Sequence, residues 1–232
     1  MNKIPKYFVY LMPFLVVGAG FLIFSSQNRE GKKGASQGVQ SIFDYGKFEE
    51  LAKKRPNGEN YLNFIRENEQ MLFDGDPSND ADAYITMGFN LHVLGDDTSA
   101  IWAYEEGLRL SPDNSYGLNN IATSYMELGE YEKAEGAYRK LSKVLSGDSS
   151  AVINHAEVYG IVNPSDKKGF WDIIERGISV AAGDNLASIL TYAGGYFRDS
   201  GDKEKAEEYF KKLVEFFPNN ELYKSELEDL RK

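Results

Sequence analysis

The chain has 232 residues, 42% hydrophobic and 27% charged, a balance typical of a folded protein with a packed core. Its net charge is −10, and because residues 1–33 hold five Lys or Arg and one Glu, and so carry +4, the remainder carries −14. A body with this negative charge repels phosphate backbones, so we expect no nucleic-acid partner. The absence of cysteine excludes disulfides, thiolate metal sites and thiol catalysis.

An apolar run stands near the start of the chain. Residues 7–24 read YFVYLMPFLVVGAGFLIF and contain no charge. At about 1.5 Å of rise per residue, a helix of this length approaches the ~30 Å hydrocarbon core of a bilayer. The run therefore predicts an N-terminal single transmembrane helix within residues 1–26, with membrane contact through residues 7–24.

A cleaved signal peptide is the alternative for this segment, since Lys3 and Lys6 form a short basic head. The run is long for a signal, however, and more large apolar residues follow its small ones. Basic residues flank both ends of the run in similar number, so the positive-inside rule does not decide the membrane orientation. The basic head is like that of bacterial signal anchors, which favours a single-pass membrane protein whose body lies on the extracytoplasmic, periplasmic side.

Residues 27–40 are rich in Gly, Ser and polar side chains, which predicts a flexible linker. They contain GASQG at residues 34–38, a match to the G-x-S-x-G pattern of hydrolase nucleophiles. That pattern requires a strand before it and a helix after it, and neither is predicted here. We therefore do not expect Ser36 to act as a nucleophile.

Two amphipathic stretches occupy residues 41–80 and predict two N-terminal helices, either a degenerate repeat or a cap. The second stretch ends in the acidic loop DGDPSNDAD, whose residues 74–80 partly match the ligand spacing of an EF-hand calcium loop. However, Asn79 occupies the position at which an EF-hand loop has its turn glycine, and Ile85 occupies the position of its bidentate Glu. The favoured interpretation is an interhelix turn in which Asp80 caps the following helix.

The remainder of the chain repeats a pattern. Ala100 and Ala134 occupy the same position in two similar stretches and lie 34 residues apart. Ala206 occupies that position in a third stretch, 72 residues further on. Two periods plus four extra residues fill that gap, so another copy is expected near residue 170. Such a period is typical of stacked helical units. We predict four two-helix units and a capping helix, with the bounds 81–114, 115–148, 149–186, 187–220 and 221–232.

The pattern resembles the tetratricopeptide repeat (TPR) family. Copies one and four have apolar residues at the fourth and seventh positions, Gly at the eighth, Ala at the twentieth, an aromatic at the twenty-fourth and Pro at the thirty-second. Copy two has Ser146 instead of the proline. Copy three departs most, because His155 takes a hydrophobic position and Phe170 replaces the small residue. The resemblance implies an all-α, TPR-type helix-turn-helix superhelical repeat stack.

The resemblance also implies that the second, fifth, ninth, twelfth and thirteenth positions of each copy face a concave groove that binds a protein or peptide. In this sequence, the candidate groove residues are Ile85, Phe89, His92, Tyr116, Asn119, Thr123, Met126, Ile153, Glu157, Thr191 and Arg198. The early part is apolar and suits an extended or helical peptide with apolar anchors. For Ile85, Phe89 and Ile153, packing against a neighbour is the open alternative.

The sequence shows no catalytic or metal-binding constellation. Its only histidines, His92 and His155, lie on first helices of different units, and metal sites usually need three or four ligands. We expect surface or groove polarity for both, no catalytic residue, no cofactor and no metal. The resulting hypothesis is a membrane-tethered TPR scaffold or adaptor that binds a partner in a membrane-associated assembly. The alternative is a structural subunit of an envelope complex that self-assembles as a homo-oligomer through its repeat ends.

Overall fold

Polar caps and left-handed glycines divide residues 41–231, the part of the chain that the computed structural model describes, into eleven α-helices. In chain order they are α1 (Tyr45–Ala52), α2 (Gly58–Met71), α3 (Asp80–Leu94), α4 (Asp97–Leu110), α5 (Ser115–Glu127), α6 (Tyr131–Val144), α7 (Ser149–Val162), α8 (Lys167–Val180), α9 (Gly183–Ser200), α10 (Lys203–Phe216) and α11 (Glu221–Arg231). Each helix packs against its neighbours in the chain, so the predicted all-α repeat stack is confirmed.

Helix ends follow local chemistry. Asp148 accepts a hydrogen bond from the backbone N–H of Ala151 (2.9 Å), and Asp166 accepts one from Gly169 in the same way. Gly95 and Gly201 adopt positive φ values of 90° and 83° and end α3 and α9, as glycines that follow a helix commonly do. These are the positions at which the sequence predicts breaks between paired helices.

The predicted cap of α3 was wrong. Asp80 is the first residue of the helix, and the preceding Asn79 makes no side-chain capping bond. A short 3-10 turn, Pro77–Asn79, comes just before, and Asp76 accepts a hydrogen bond from the Ser78 N–H (3.1 Å) at its start. Pro77 favours this earlier turn because its ring presets φ, so the capping carboxylate lies further upstream.

The two helices of a unit approach closely where the repeat places a small residue opposite an aromatic ring. A Cβ added to Gly88 would lie 2.6 Å from the ring of Tyr104, and one added to Gly194 would lie 2.8 Å from Phe210. Both rings are buried, at 0% and 2% exposure. The glycines therefore provide the space into which the aromatic rings pack within a unit.

The third unit fills its interior differently. Phe170, which replaces the usual small residue, is buried, and a Cβ on Gly160 would be 3.4 Å from its ring. Gly177 on α8 leaves room for Val152 on α7, because an added Cβ would lie 2.5 Å from a valine methyl. Phe170 thus packs beside a glycine of α7 and Val152 beside a glycine of α8, so the helix pair still packs.

The apolar interior consists of two clusters that meet on α7. Ala151 and Val158 belong to the cluster built by α1 to α6, whereas Val152 and Ala156 belong to the cluster built by α8 to α11. Helix α7 therefore presents one side to each half of the stack. It is apolar around most of its circumference because both sides are buried.

Residues near each end of the described stack are held by polar contacts. At the start, buried Glu69 accepts hydrogen bonds from Ser41 Oγ (2.8 Å), the Ile42 N–H (2.6 Å) and the Tyr45 hydroxyl (2.9 Å). These three bonds fix the entry to α1 against the last turns of α2.

At the other end, α11 covers the α9–α10 pair. Its Leu227 is buried, and its Glu226 forms an ion pair with Arg198 of α9 (2.8 Å). A second ion pair joins Arg231 of α11 to Glu207 of α10 (2.9 Å). Helix α11 thus shields the last pair, as terminal helices do in repeat stacks.

The predicted transmembrane helix (residues 1–26) and linker (27–40), with Ser36, lie outside the described residues. Within residues 41–231, no helix combines the length and the apolar character needed to cross a bilayer.

Candidate partner-binding face

The first helices lie side by side in two pairs of successive units. Near the starts of α3 and α5, the Asn114 amide donates to Asp82 (3.5 Å), and at the starts of α7 and α9 the Ser149 N–H donates to Asn185 (3.0 Å). These contacts align the positions that the resemblance assigns to a groove. We call the surface formed by the candidate groove residues of α5, α7 and α9 the first-helix face.

Ile85 does not lie on an open surface. It is only 7% exposed and belongs to the core, between Gly107 of α4 and Gly117 of α5. An added Cβ on Gly107 would lie 2.7 Å from Ile85, and one on Gly117 would lie 3.1 Å from it. Two neighbouring glycines thus make a pocket for this side chain, so it packs instead of facing a groove.

The other apolar candidates keep part of their surface outside the core. Phe89, Met126 and Ile153 are half-buried, and Met126 packs against the N-terminal apolar cluster. Tyr116 is 75% exposed and lies in the first turn of α5, beside the turn that joins α4 to α5. Partial exposure of this kind is compatible with apolar anchors for a partner.

Polar candidates lie between these apolar ones. Thr123 donates to the backbone oxygen of Asn119 (3.0 Å) and contacts the Tyr138 hydroxyl (3.3 Å). Thr191 and Arg198 of α9 are exposed, and with Tyr223 of α11 they line a small cavity of about 160 Å³. Arg198 is paired with Asp199 and Glu226, so its charge is already balanced within the chain.

Glu157 is the electrostatically distinct residue of the first-helix face. Burial raises the pKa of its carboxyl group, and a hydrogen bond from the Tyr192 hydroxyl (2.7 Å) acts in the opposite direction. Among the described residues, no Lys or Arg forms an ion pair with Glu157. Glu157 is therefore a partly desolvated carboxylate that no Lys or Arg of the described residues pairs with.

Tyr192 was missed by the sequence analysis. Its hydroxyl joins α9 to α7 through Glu157, although it occupies the sixth position of its repeat, outside the groove positions that were carried over. The signal was present as a tyrosine near the middle of a first helix. The side of the helix on which this tyrosine lies could not be predicted from the repeat position. Helix α9 begins four residues before the predicted unit, so its register differs from that of the pattern.

His92 and Ser124 do not form a catalytic arrangement. His92 Nδ1 lies 2.6 Å from Asp97 Oδ1, and the same nitrogen faces Ser124 Oγ at 3.4 Å. A nucleophile–base–acid chain needs its partners on opposite ring nitrogens. Ser124 is also fully buried, so these contacts join α3, α4 and α5 through polar atoms.

His155 was expected to give surface or groove polarity, and this was wrong because the residue is buried. Its Nδ1 lies 3.0 Å from Ser142 Oγ and its Nε2 lies 3.3 Å from Glu135 Oε1. Ser142 also donates to the Arg139 backbone oxygen (3.1 Å). Burial keeps the imidazole away from a substrate, and its partners on α6 tie that helix to α7.

No metal site is assembled within residues 41–231 from three or more His, Cys, Asp or Glu side chains. In the loop that partly matches the EF-hand spacing, Asp74 accepts a hydrogen bond from the Asp76 N–H (2.8 Å) and Asp76 accepts one from the Ser78 N–H. These carboxylates organise successive turns of the backbone.

Relatives and a solved structure are similar to this chain. A "photosystem I assembly protein" from Synechococcus sp. is 31% identical over 125 residues, which cover 51% of this chain and 71% of that protein. A "TPR repeat-containing protein" from Methanocaldococcus jannaschii is 26% identical over 144 residues, 59% of this chain, and the match spans only 25% of that longer protein. The C-terminal part of a TPR repeat-containing protein from Cytophaga hutchinsonii superimposes with a TM-score of 0.54 and 22% identity, over 80% of this chain and 74% of that one.

Two family models, both described as tetratricopeptide repeats, match residues 103–136 and 193–220. The chain belongs to the tetratricopeptide repeat family. The first match runs from α4 into α6, across a boundary between units, and the second runs from α9 to the end of α10. The TPR positions therefore recur in both halves of the described stack, and TPR proteins bind protein partners.

Proposed function

We propose that this TPR protein is a scaffold or adaptor that binds a protein or peptide partner on its first-helix face and is tethered to a membrane by residues 7–24. One observation carries the binding role. The candidate groove residues of α5, α7 and α9 include partly exposed apolar and polar side chains, and their recurrence on successive first helices supports a shared binding face. Partly exposed anchors surrounded by polar groups are typical of protein interfaces.

The chemistry of this face defines its partner. Met126 and Ile153 offer apolar contact area, and Glu157 offers a carboxylate whose burial disfavours its charge. A partner segment with one or two apolar side chains and a Lys or Arg would satisfy both, because the cation would compensate the desolvated carboxylate. The name of the Synechococcus relative describes an assembly protein, which supports a role in holding another protein during assembly.

The membrane tether rests on the amino-acid sequence. Residues 7–24 carry no charge over a length close to that of a membrane-spanning helix, and residues 27–40 have the composition of a flexible linker. The short basic head supports an extracytoplasmic position for the repeats.

Site-specific photocrosslinking tests the binding role. A photoreactive phenylalanine analogue at Thr191 of α9, with Ile153 intact, should yield a discrete adduct with one partner in cells. Replacing Ile153 by Arg should abolish that adduct, because a charge would replace an apolar anchor. The matched control carries the analogue at exposed Glu208 on α10, where we expect no adduct. Equal labelling from both positions, or an adduct insensitive to I153R, would overturn the proposal.

Carbonate extraction tests the tether. The full chain with a tag after Lys232 should stay in the membrane pellet, and a variant with Val16→Lys and Val17→Lys should move to the supernatant because two charges oppose insertion. Protease added to intact spheroplasts should then remove the tag if the repeats are extracytoplasmic. A wild-type chain that is fully extracted would exclude a spanning tether, whereas protection of the tag until lysis would place the repeats on the cytoplasmic side.

A further inference from the structure

Exposed apolar side chains gather at one end of the helices in residues 41–231. Of the thirteen large hydrophobic side chains exposed there, nine lie in or beside the five turns that follow the even-numbered helices α2, α4, α6, α8 and α10. The six most exposed of these nine, which we call the apolar edge, are Phe73, Leu110, Tyr116, Val180, Phe216 and Leu222. Their exposure runs from 44% to 75%, so they do not serve the core.

The turns that carry the apolar edge lie next to one another. Consecutive helices run in opposite directions, so every turn after an even-numbered helix is at the same end of its pair. A Cβ added to Gly147, in the turn after α6, would lie 3.1 Å from the Cα of Ala181 in the turn after α8. The bond between Ser149 and Asn185 joins the helices that leave the same two turns. The exposed side chains thus lie at the same end of successive helix pairs, and the turns after α6 and α8 are in direct contact.

The two ends of the helices carry different charges. The five turns after even-numbered helices, each with the first three residues of the next helix, hold eight Asp or Glu and no Lys or Arg. The five turns after odd-numbered helices, counted in the same way, hold eight acidic and eight basic residues. The Lys140 side chain, from the body of α6, pairs with Asp113 across 3.4 Å and offsets part of the negative charge. Arg109 and Lys143, in the last turns of α4 and α6, add two more positive charges at this end. Acidic groups nevertheless outnumber basic ones around the apolar edge.

We infer that the apolar edge is a second docking surface, and that its partner is a protein segment whose apolar side chains are bordered by Lys or Arg. Charge complementarity selects this occupant, because apolar side chains set among carboxylates bind best to apolar side chains set among cations. The edge of a second copy would bring like charges together, and an anionic lipid surface would be repelled in the same way. This surface is separate from the proposed first-helix face, except that Tyr116 lies where both could reach it.

Binding of synthetic helices to the full-length chain tests this inference. The probe is a fluorescent amphipathic helix with a leucine face bordered by lysines, and the matched probe has glutamate for every lysine. Wild type should bind the Leu/Lys helix at least about tenfold more tightly than the Leu/Glu helix, and added NaCl should weaken the binding. Equal binding of the two probes would overturn the choice of partner.

Two double variants locate the binding. Val180→Ser with Phe216→Ser removes apolar area from adjacent turns of the apolar edge, outside both core clusters. Leu128→Ser with Tyr131→Ser removes exposed apolar area at the opposite end. We expect the first variant to lose about tenfold or more in affinity for the Leu/Lys helix and the second to change it by less than about twofold. Unchanged thermal melts would show that both variants are folded, and equal affinities for the two variants would refute the inference.

Other occupants would produce different results. A concentration-dependent dimer of wild type that V180S/F216S abolishes, measured by sedimentation velocity, would assign the apolar edge to a second copy. Edge-dependent binding to phosphatidylcholine vesicles would assign it to lipid. Either result would overturn the inference. The Leu/Lys helix also has the chemistry proposed for the partner of the first-helix face, so both double variants are compared in an I153R background, in which that face is blocked. Loss of binding on V180S/F216S in this background reports on the apolar edge alone, so a failure here is distinguishable from a failure of the proposed first-helix interaction.

Discussion

Glycine at the eighth position of a repeat is a packing requirement at the scale of single residues. Gly88 lies against the ring of Tyr104, which is fully buried and has no free space to move into. The sequence analysis could identify this pair because both members belong to the repeat pattern. It could not identify the pocket of Ile85, because Gly107 and Gly117, which form it, lie on two other helices.

Gly88→Ala should destabilise the protein. Overpacking costs about 1–3 kcal/mol, and the helix-propensity gain of about 1 kcal/mol for Gly to Ala offsets part of it, so we expect a net loss of up to about 2 kcal/mol in the free energy of unfolding. Gly136→Ala on α6 is the matched control, because nothing lies within 4 Å of its added Cβ. It should gain about 0.5–1 kcal/mol. Urea unfolding followed by circular dichroism would measure both, and equal changes would contradict this account.

His155 should make stability depend on pH. Burial lowers the pKa of its imidazole below the usual 6.5, although Glu135 acts in the opposite direction and Arg139 and Arg176 reinforce the lowering. The unfolded chain therefore binds the proton more tightly, and stability falls as the pH drops below the ordinary histidine pKa toward the lowered value in the folded state.

Two measurements check the His155 prediction. The imidazole resonances of the folded protein should titrate with a midpoint below 6.5. The loss of unfolding free energy between about pH 7.5 and about pH 5 should also be smaller in His155→Gln than in wild type, because the variant lacks the titrating group. A folded-state midpoint at or above 6.5 would show that the contact with Glu135 outweighs burial.

At the scale of helices, two leucines of α11 differ in burial. Leu227 is buried against the C-terminal cluster, whereas Leu222, the second residue of the same helix, is 64% exposed. Both belong to the capping helix that the sequence predicts. Only the position of α11 on α9 and α10 determines which of them is covered, so the sequence alone could not distinguish them.

Leu227→Ala should lower the free energy of unfolding by about 2–3 kcal/mol, because it removes buried side-chain volume and leaves a cavity. Leu222→Ala, the same substitution on the same helix, should change it by no more than about 0.5 kcal/mol. Thermal and urea unfolding of the full chain provide the comparison. Similar losses for the two variants would mean that α11 lies differently on the stack.

At the scale of the whole described body, the two apolar clusters that meet on α7 predict uneven stability. Repeat stacks are held by contacts between neighbours, so damage within one cluster should spread little beyond the shared helix. The family resemblance covered residues 81–220 without indicating such a division. The division arises in the third unit, where the sides of α7 face different clusters.

Ile189→Ala, in the C-terminal cluster, should speed amide hydrogen exchange in α8 to α11 and leave α1 to α5 nearly unchanged. Leu62→Ala, in the N-terminal cluster, should do the reverse. Both side chains are fully buried, so each loss should be about 2–5 kcal/mol. Peptide-resolved exchange measured by mass spectrometry checks both variants. Uniform acceleration along the chain in either variant would show that residues 41–231 unfold as one cooperative unit.

Local and periodic features were determined by the sequence itself. The paired helices, the breaks at Gly95 and Gly201 and the contacts of Gly88 and Gly194 with their aromatic partners all follow from residue type and a spacing that recurs along the chain. These features need only a helix and its nearest neighbour, so the amino-acid pattern is sufficient to specify them.

Features that depend on several helices at once were decided by the tertiary structure. Burial of Ile85 and His155, the contact of Tyr192 with Glu157 and the gathering of exposed apolar side chains at one end all require the relative rotation and stagger of non-adjacent elements. A small rotation of a helix moves a side chain from the surface to the interior, and the sum of many weak packing contacts sets that rotation. A single sequence does not show that sum, and the folded chain does.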